Sequence, residues 1–124
     1  MKVSLRLSRR AVLDIQQIET YSVEKWGAKV AAEYLKSIEA ALNLLREDPS
    51  LLRAKPEFSP SLSFYRVRQH FLVCATFEDQ IFVLTVKHGA MDLPNRIAEI
   101  EPQLHREAAM LHAAYQKKRR PGAG

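Results

Sequence analysis

Two arginines in one predicted strand are the first candidates for a functional surface. Residues 62–89 are rich in β-branched and aromatic side chains, with polar breaks at 69–70 and 78–80. This spacing predicts three antiparallel strands joined by tight turns. Because side chains alternate between the faces of a strand, Arg66 and Arg68 are expected to share one face of the sheet. Guanidinium groups on such a face suit an anionic partner.

The histidines are the side chains that could exchange protons near neutral pH. His88 closes the third strand, where it would emerge at the sheet edge as a candidate base or as a polar turn residue. His70 falls in the first predicted turn. His105 and His112 lie seven residues apart on one helical face and would need a further ligand to hold a metal ion. The sequence contains no glycine-rich phosphate loop, CxxC pair or HExxH motif, so neither a cofactor nor a metal is expected.

The composition indicates one globular domain with an anionic partner. The chain has 124 residues, of which 47% are hydrophobic and 27% charged, and a net charge of +5 that favours nucleic acid or an acidic protein segment. No apolar run approaches the roughly 18 to 20 residues of a membrane span, and the N-terminus lacks the pattern of a secretion signal. The lone Cys74 is expected to be a buried core residue. A cytoplasmic location would suit this free thiol.

The elements that position these residues predict an α+β fold. Residues 2–7 alternate between polar and apolar types, as in a strand with one buried face. Ser8 is a suitable N-cap for a helix that continues to about Lys25. A second helix is expected over residues 28–47, and it ends before Pro49. With one residue between them, the two helices should form a hairpin that covers one face of the antiparallel sheet.

A further helix is expected at the C-terminal end of the sequence. Its apolar stripe includes Ile97, Ile100, Leu104 and Leu111, which should dock on this domain or on a second copy of the chain. Pro102 inside the stripe predicts a kink or a restart of the helix. We divide the chain into a domain over residues 1–96, its helical extension over residues 97–116, and a basic, disordered tail over residues 117–124.

A resemblance to a known family rests on short motifs that follow this order of elements. The motif positions are Ala11, Asp14, Ile15, Ile18, Tyr21, Trp26, Gly27, Tyr34, Pro49, Tyr65, Arg66 and, three residues apart, His88 and Met91. Together they resemble the ParE toxins of the RelE/ParE superfamily. The resemblance covers residues 2 to about 97, with the same order of strand, helix hairpin and three-stranded meander.

The resemblance implies a bacterial type II toxin that inhibits DNA gyrase without a cofactor and is neutralised by an antitoxin encoded beside it. Toxins of the RelE branch instead cut messenger RNA, and in that case Arg66, Arg68 and His88 would be catalytic. Leu72 stands where those enzymes place a further arginine, and no tyrosine follows His88 before Tyr115. These differences favour the gyrase inhibitor. A third hypothesis, a non-toxic co-repressor partner of a DNA-binding antitoxin, stays open.

The resemblance and the charge pattern together predict two binding surfaces. The antitoxin is expected in an apolar groove beside the helix hairpin and the sheet, where an acidic amphipathic segment would meet a basic rim. That rim would consist of Lys29, Lys36, Arg66 and Arg68. The exposed end of the third strand, with His88 and Met91, is expected to contact gyrase. Assembly as a homodimer or as a heterotetramer with the antitoxin is left open.

Overall fold

The protein folds as a mixed sheet between a helical hairpin and a C-terminal helix, an α+β arrangement. The computed structural model describes the backbone of residues 3–90 and 92–119, and the side chains of this part as far as Gln116. The helices are α1 (Arg9–Trp26), α2 (Ala28–Glu47) and α3 (Leu93–Arg119), and the strands are β1 (Ser4–Leu7), β2 (Arg53–Ala54), β3 (Ser63–Val67), β4 (His70–Phe77) and β5 (Gln80–His88). The strand order is β1-β5-β4-β3-β2.

The strand pairing confirms the predicted meander and shifts its first turn by one residue. Strands β3, β4 and β5 are antiparallel neighbours, and β1 joins the outer side of β5 in parallel. Val67 pairs with His70, so the turn consists of residues 68–69 and His70 belongs to β4 rather than to the turn. The connection that follows α2 is less irregular than expected, because β2 pairs with β3 within it.

The helical hairpin forms where the sequence predicts it. Ser8 caps α1, since its hydroxyl accepts a hydrogen bond of 3.0 Å from the Ala11 N–H. Gly27 separates α1 from α2 with φ of 91°, a left-handed conformation that glycine adopts without the steric cost of a Cβ atom. The glycine N–H still bonds to the Val23 carbonyl, so the first helix is closed as the second one begins.

A β-bulge in β5 joins α1 to the sheet. Val73 pairs with Thr85 and Cys74 with Val83, which leaves Leu84 as an extra residue. The Ser8 hydroxyl donates a hydrogen bond of 2.8 Å to the Leu84 carbonyl. The bulge also shifts the alternation of side chains, so that residues 83 and 86 both face the helical hairpin.

Hydrophobic side chains bury both faces of the sheet. On the hairpin face, Tyr34 and Ile38 of α2 pack with Leu72 of β4, together with Cys74, whose pKa burial raises to about 12. On the opposite face, α3 packs against the alternate residues of the same strands. The cluster on this second face is formed by Leu62, Phe64, Phe71, Val73, Ala75, Phe82, Leu84, Leu93, Ile97, Leu104 and Ala108.

Helix α3 is one continuous helix. It begins at Leu93 and contains Pro102, so the helix does not restart there. Its backbone continues to Arg119, so residues 117–119 are helical where a disordered tail was predicted, and residues 120–124 lie outside the described part. The Arg10 guanidinium binds both carboxylate oxygens of Glu107 at 2.8 and 3.0 Å, which ties α3 to α1. Among the described residues, no helix is long and apolar enough to cross a membrane.

Removing a buried side chain from α3 should therefore destabilise the whole domain. Leu104 is fully buried, and we expect Leu104→Ala to lower the free energy of unfolding by about 2 to 5 kcal/mol, because it leaves a cavity against the sheet. Met110 on the same helix is 71% exposed, so Met110→Ala should change that free energy by less than about 0.5 kcal/mol. Urea unfolding followed by circular dichroism measures both variants. Equal stability of the two would contradict the docking of α3.

Candidate functional site

A cleft lies at the end of β5, between α1 and the turn that joins β3 to β4. Its volume is about 560 Å³. Apolar and aromatic side chains form its walls, and two histidines lie at the strand ends that close it. The cleft is lined by Asp14, Gln17, Ile18, Tyr21, Ser22, Trp26, Tyr34, Gln69, His70, Val86, Lys87 and His88. We refer to this site as the β5-end cleft.

The wall that α1 provides depends on the bulge in β5. Asp14 accepts hydrogen bonds from the Thr85 hydroxyl and, at 3.1 Å, from the Val86 N–H. The carboxylate thus replaces the strand partner that Val86 would otherwise need, because β1 pairs with β5 only as far as Val83. Tyr21 and Trp26 pack edge to face with 5.8 Å between ring centroids, and they are 54% and 51% exposed. The α1 wall is therefore aromatic and open to solvent.

His70 is held in the cleft by a buried tyrosine. Its Nδ1 atom is hydrogen-bonded to the hydroxyl of Tyr34, which also accepts the Gln69 N–H at 3.1 Å. Burial and, to a smaller extent, the neighbouring His88 together lower the pKa of His70 to about 4. Burial also raises the pKa of Tyr34. Both groups are therefore neutral near pH 7, and the tyrosine hydroxyl remains a hydrogen-bond donor.

His88 lies beside His70 because the two residues are cross-strand partners. The ring centroids are 4.9 Å apart and the rings are nearly perpendicular. The Nδ1 atom of His88 accepts a hydrogen bond of 2.9 Å from the Ala90 N–H. The structure thus brings one predicted site residue, His88, together with His70, which the sequence placed in a turn, and with Tyr34.

The prediction that Arg66 and Arg68 share one face is wrong. Arg66 lies in β3 over the Phe71 ring, on the α3 face, with 5.6 Å between the guanidinium carbon and the ring centroid. Arg68 lies in the turn with φ of 51°, so strand alternation no longer applies to it. Its side chain crosses to the hairpin face, over the Tyr34 ring, and its Nε atom donates to the Ser37 hydroxyl at 2.8 Å.

The remaining predicted site residues are dispersed. Lys29 and Lys36 lie exposed on α2, and neither lines the β5-end cleft. Met91 lies outside the described residues. Lys87, which was not singled out from the sequence, does line the cleft beside His88. The predicted basic residues therefore lie on several elements and do not form one cluster.

The cleft brings together two imidazoles, a tyrosine hydroxyl and a lysine side chain. The two imidazoles contact each other, whereas an acid and a base must reach opposite sides of a reacting phosphate. The Arg66 and Arg68 side chains lie over different faces of the sheet, although the Arg66 Nε atom donates to the Arg68 carbonyl at 2.9 Å. Within residues 3–90 and 92–116, no group of three or more histidine, cysteine, aspartate or glutamate side chains could hold a metal ion.

Sequence reasoning missed His70 and Tyr34 as site residues. If the turn had been placed at residues 68–69, His70 would have been assigned to the second strand of the meander. The pairing of that strand with the third, counted from the turn that joins them, would then have placed His70 near His88. The sequence carries no comparable signal for Tyr34, because a tyrosine in the apolar stripe of a helix is ordinarily a core residue. Its hydroxyl meets His70 only through tertiary packing.

The low pKa of His70 gives the stability a dependence on pH. The folded protein holds this pKa near 4, below the ordinary value of 6.5, so protonation favours the unfolded chain. The contribution is complete above about pH 6.5 and is lost as the pH falls towards 4. His70→Asn keeps an acceptor for Tyr34 but does not titrate. Between about pH 7 and about pH 4.5, the melting temperature of the His70→Asn variant should fall less than that of the wild type. If the melting temperatures of the two proteins fell equally with pH, the low pKa of His70 would be contradicted.

Known proteins resemble this chain in fold and, over about three quarters of its length, in sequence. A family model described as the ParE toxin of the type II toxin-antitoxin system parDE matches residues 5–93. The Escherichia coli protein Toxin ParE is 26% identical over 94 residues, which cover 75% of this chain and 91% of that protein. Toxin ParE1 of Caulobacter vibrioides is 41% identical over 46 residues, which are 37% of this chain and about half, 48%, of that protein.

A solved structure supports the same assignment of fold. The chromosomal ParDE TA system from P. aeruginosa superposes with a TM-score of 0.62 at 17% identity, covering 70% of this chain and 96% of that chain. The family match ends at residue 93, where α3 begins. From the match over residues 5–93, the chain belongs to the ParE family of toxins from type II toxin-antitoxin systems.

Proposed function

We propose that this chain acts in the cytoplasm as a toxin that inhibits DNA gyrase and that a cognate antitoxin neutralises it. Family membership supplies the toxin-antitoxin assignment. The observation that carries the choice of target is the divergence of Arg66 and Arg68 onto opposite faces of the sheet. Arg66 and Arg68 do not form a basic pair beside His88, and a paired charge there is what cleavage of a phosphodiester would use.

The details of His88 support binding in preference to ribonuclease chemistry. Its Nδ1 atom accepts the Ala90 N–H, so Nε2 is the ring nitrogen that is left for another contact. A ribonuclease needs both a base at the 2′-hydroxyl and an acid at the leaving oxygen. We propose that His88 and Met91 instead contact the target enzyme, at the strand end beside the β5-end cleft.

For the antitoxin, we propose an acidic segment that follows the basic groups around the hairpin. Lys29 and Lys36 lie exposed on α2, and Arg68 reaches the same helix through Ser37. Arg66 lies on the α3 face of β3, and the segment would reach it by passing over the turn at Arg68. An antitoxin bound along these basic residues would come close to the β5-end cleft at Arg68, because Arg68 lies over the Tyr34 ring that lines the cleft. Neutralisation then follows if antitoxin and target overlap there.

Expression without the antitoxin tests the choice of target. DNA synthesis should fall before protein synthesis, and the purified chain should inhibit supercoiling by gyrase, since a binding protein poisons topology without cutting RNA. Co-expression of the protein encoded by the adjacent reading frame, as the control, should restore growth. The ribonuclease alternative would be established if translation stopped first and messenger RNA showed cuts that disappeared in an Arg66→Ala, Arg68→Ala double variant. Absence of any growth arrest would favour the non-toxic co-repressor.

Charge reversal tests the basic rim. Arg66→Glu with Arg68→Glu should weaken antitoxin binding on the order of tenfold at low salt, because attraction is replaced by repulsion, and much less where salt screens the charges. Isothermal titration across a salt series measures both effects. Arg96→Glu with Arg106→Glu, two exposed residues of α3, makes the same change in net charge away from the rim and serves as the control. If both double variants lost the same antitoxin affinity, the effect would come from net charge alone and the basic rim would not be the binding site.

A further inference from the structure

The side of α1 that points away from the sheet forms a continuous trough. Two adjoining hollows, of about 700 and 320 Å³, share Leu13 and Gln17. The larger hollow also contacts α3 at Met110, and the smaller one extends to the last turn of α1 at Glu24. The α1 trough follows exposed residues that recur every three or four positions and therefore share one side of the helix: Arg9, Leu13, Gln16, Gln17, Thr20 and Glu24.

The α1 trough carries opposite charges at its two ends. Arg9 lies in the first turn of the helix, which contains no acidic residue, and Glu24 lies in the last turn. The helix dipole favours the reverse order, with acidic side chains at the N-terminus and basic ones at the C-terminus. Within the described part of the chain, neither Arg9 nor Glu24 forms an ion pair. Lys25, which does suit the dipole, lies over the Tyr21 ring.

A second copy of the chain can pair these charges, whereas one chain cannot. Arg9 and Glu24 are 15 positions apart, which is about 22 Å along a helix and too far for their side chains to meet. An antiparallel copy of α1, related by a two-fold axis between Gln16 and Gln17, brings each Arg9 opposite Glu24 of the other copy. The two glutamines meet their own counterparts at the axis. The charge order that the dipole disfavours is thereby neutralised at both ends.

The apolar side chains follow the same symmetry. Met110 is exposed at the Arg9 end of the trough, beside Leu13, and Tyr21 is exposed at the Glu24 end. The antiparallel arrangement brings Met110 of one copy towards Tyr21 of the other, and a thioether beside an aromatic ring is a favourable contact. An acidic segment in the same trough would instead be repelled at Glu24. The trough is therefore more complementary to itself than to a chain of one charge.

We propose that the α1 trough is an interface between two copies of this chain, which pair α1 with α1 in antiparallel orientation about a two-fold axis. Because Tyr21 also lines the β5-end cleft, each copy would add its Met110 to the border of the other copy's cleft. The second copy thus contributes a residue of α3 beside the site. The interface does not depend on the target of the toxin, since none of its contacts involves Arg66, Arg68 or His88.

Sedimentation velocity of the full chain over a concentration series tests the interface. The wild type should be a dimer at about 100 µM and a monomer at about 1 µM, since one helix pair forms a small interface. Arg9→Glu should weaken the dimer about tenfold or more, because two like-charged pairs replace two opposite ones, and Glu24→Arg should do the same. The double variant Arg9→Glu, Glu24→Arg should return to within about threefold of the wild-type dissociation constant.

The double variant separates a contact between copies from an effect within one chain, in which the two residues do not meet. Arg96→Glu on α3 makes the same change in net charge away from the trough and should leave the dimer within about twofold of the wild type. A wild type that stays monomeric at about 100 µM would overturn the proposal, and so would a double variant as weak as the single ones.

A substitution in the middle of the α1 trough distinguishes a second copy from another occupant. Leu13 is 48% exposed, so Leu13→Asp should preserve the circular dichroism spectrum, yet it places a carboxylate in the interface and should abolish the dimer at about 100 µM. If the dimer persists in this variant, the copies pair through another surface. If the wild type is monomeric and Leu13→Asp weakens binding of the protein of the adjacent reading frame, the trough is an antitoxin site and the proposal is wrong.

Discussion

The extra residue in β5 is the constraint on which the rest of the molecule depends. At Leu84 the strand cannot keep its regular pairing, and Ser8 and Asp14 supply the hydrogen bonds that the irregular backbone lacks. These contacts fix where β1 ends and how α1 leaves the sheet. Because α1 then runs beside β5 instead of a further strand, a side chain of α1, Asp14, bonds to the Val86 N–H. The β5-end cleft is a direct result.

Helix α3 covers the second face of the sheet, which would otherwise be exposed to solvent. Alternate residues of β4 and β5 are apolar on both faces, so a hairpin on one side would leave Phe71, Val73 and Phe82 in water. Burying Ile97 and Leu104 against them is worth about 1.5 to 3 kcal/mol for each side chain. The Arg10–Glu107 pair is partly exposed and adds less, but it fixes the direction of the helix. Helix α3 and the strands thus share the hydrophobic cluster on this face of the sheet.

Local patterns were sufficient to predict the elements and insufficient to predict the site. The caps at Ser8 and Gly27 and the periodicity of the helices place α1 and α2 to within a residue or two, because these signals act over one or two turns. Arg68 was misplaced because a single residue with positive φ ends the alternation that the prediction used. The contact between Tyr34 and His70 joins residues 36 positions apart. It depends on how α2 packs on the sheet, which no local pattern encodes.

The burial of Cys74 has a practical consequence. It is the one cysteine of the chain, it lies in the central strand, and its pKa of about 12 keeps the thiol protonated and unreactive. A thiol-specific reagent can reach it only when the sheet opens, so the rate of modification reports the opening of the core. A second cysteine introduced on the surface would react alone under native conditions. The chain can therefore be labelled at a chosen site with a fluorophore or a spin label while its native cysteine stays in place.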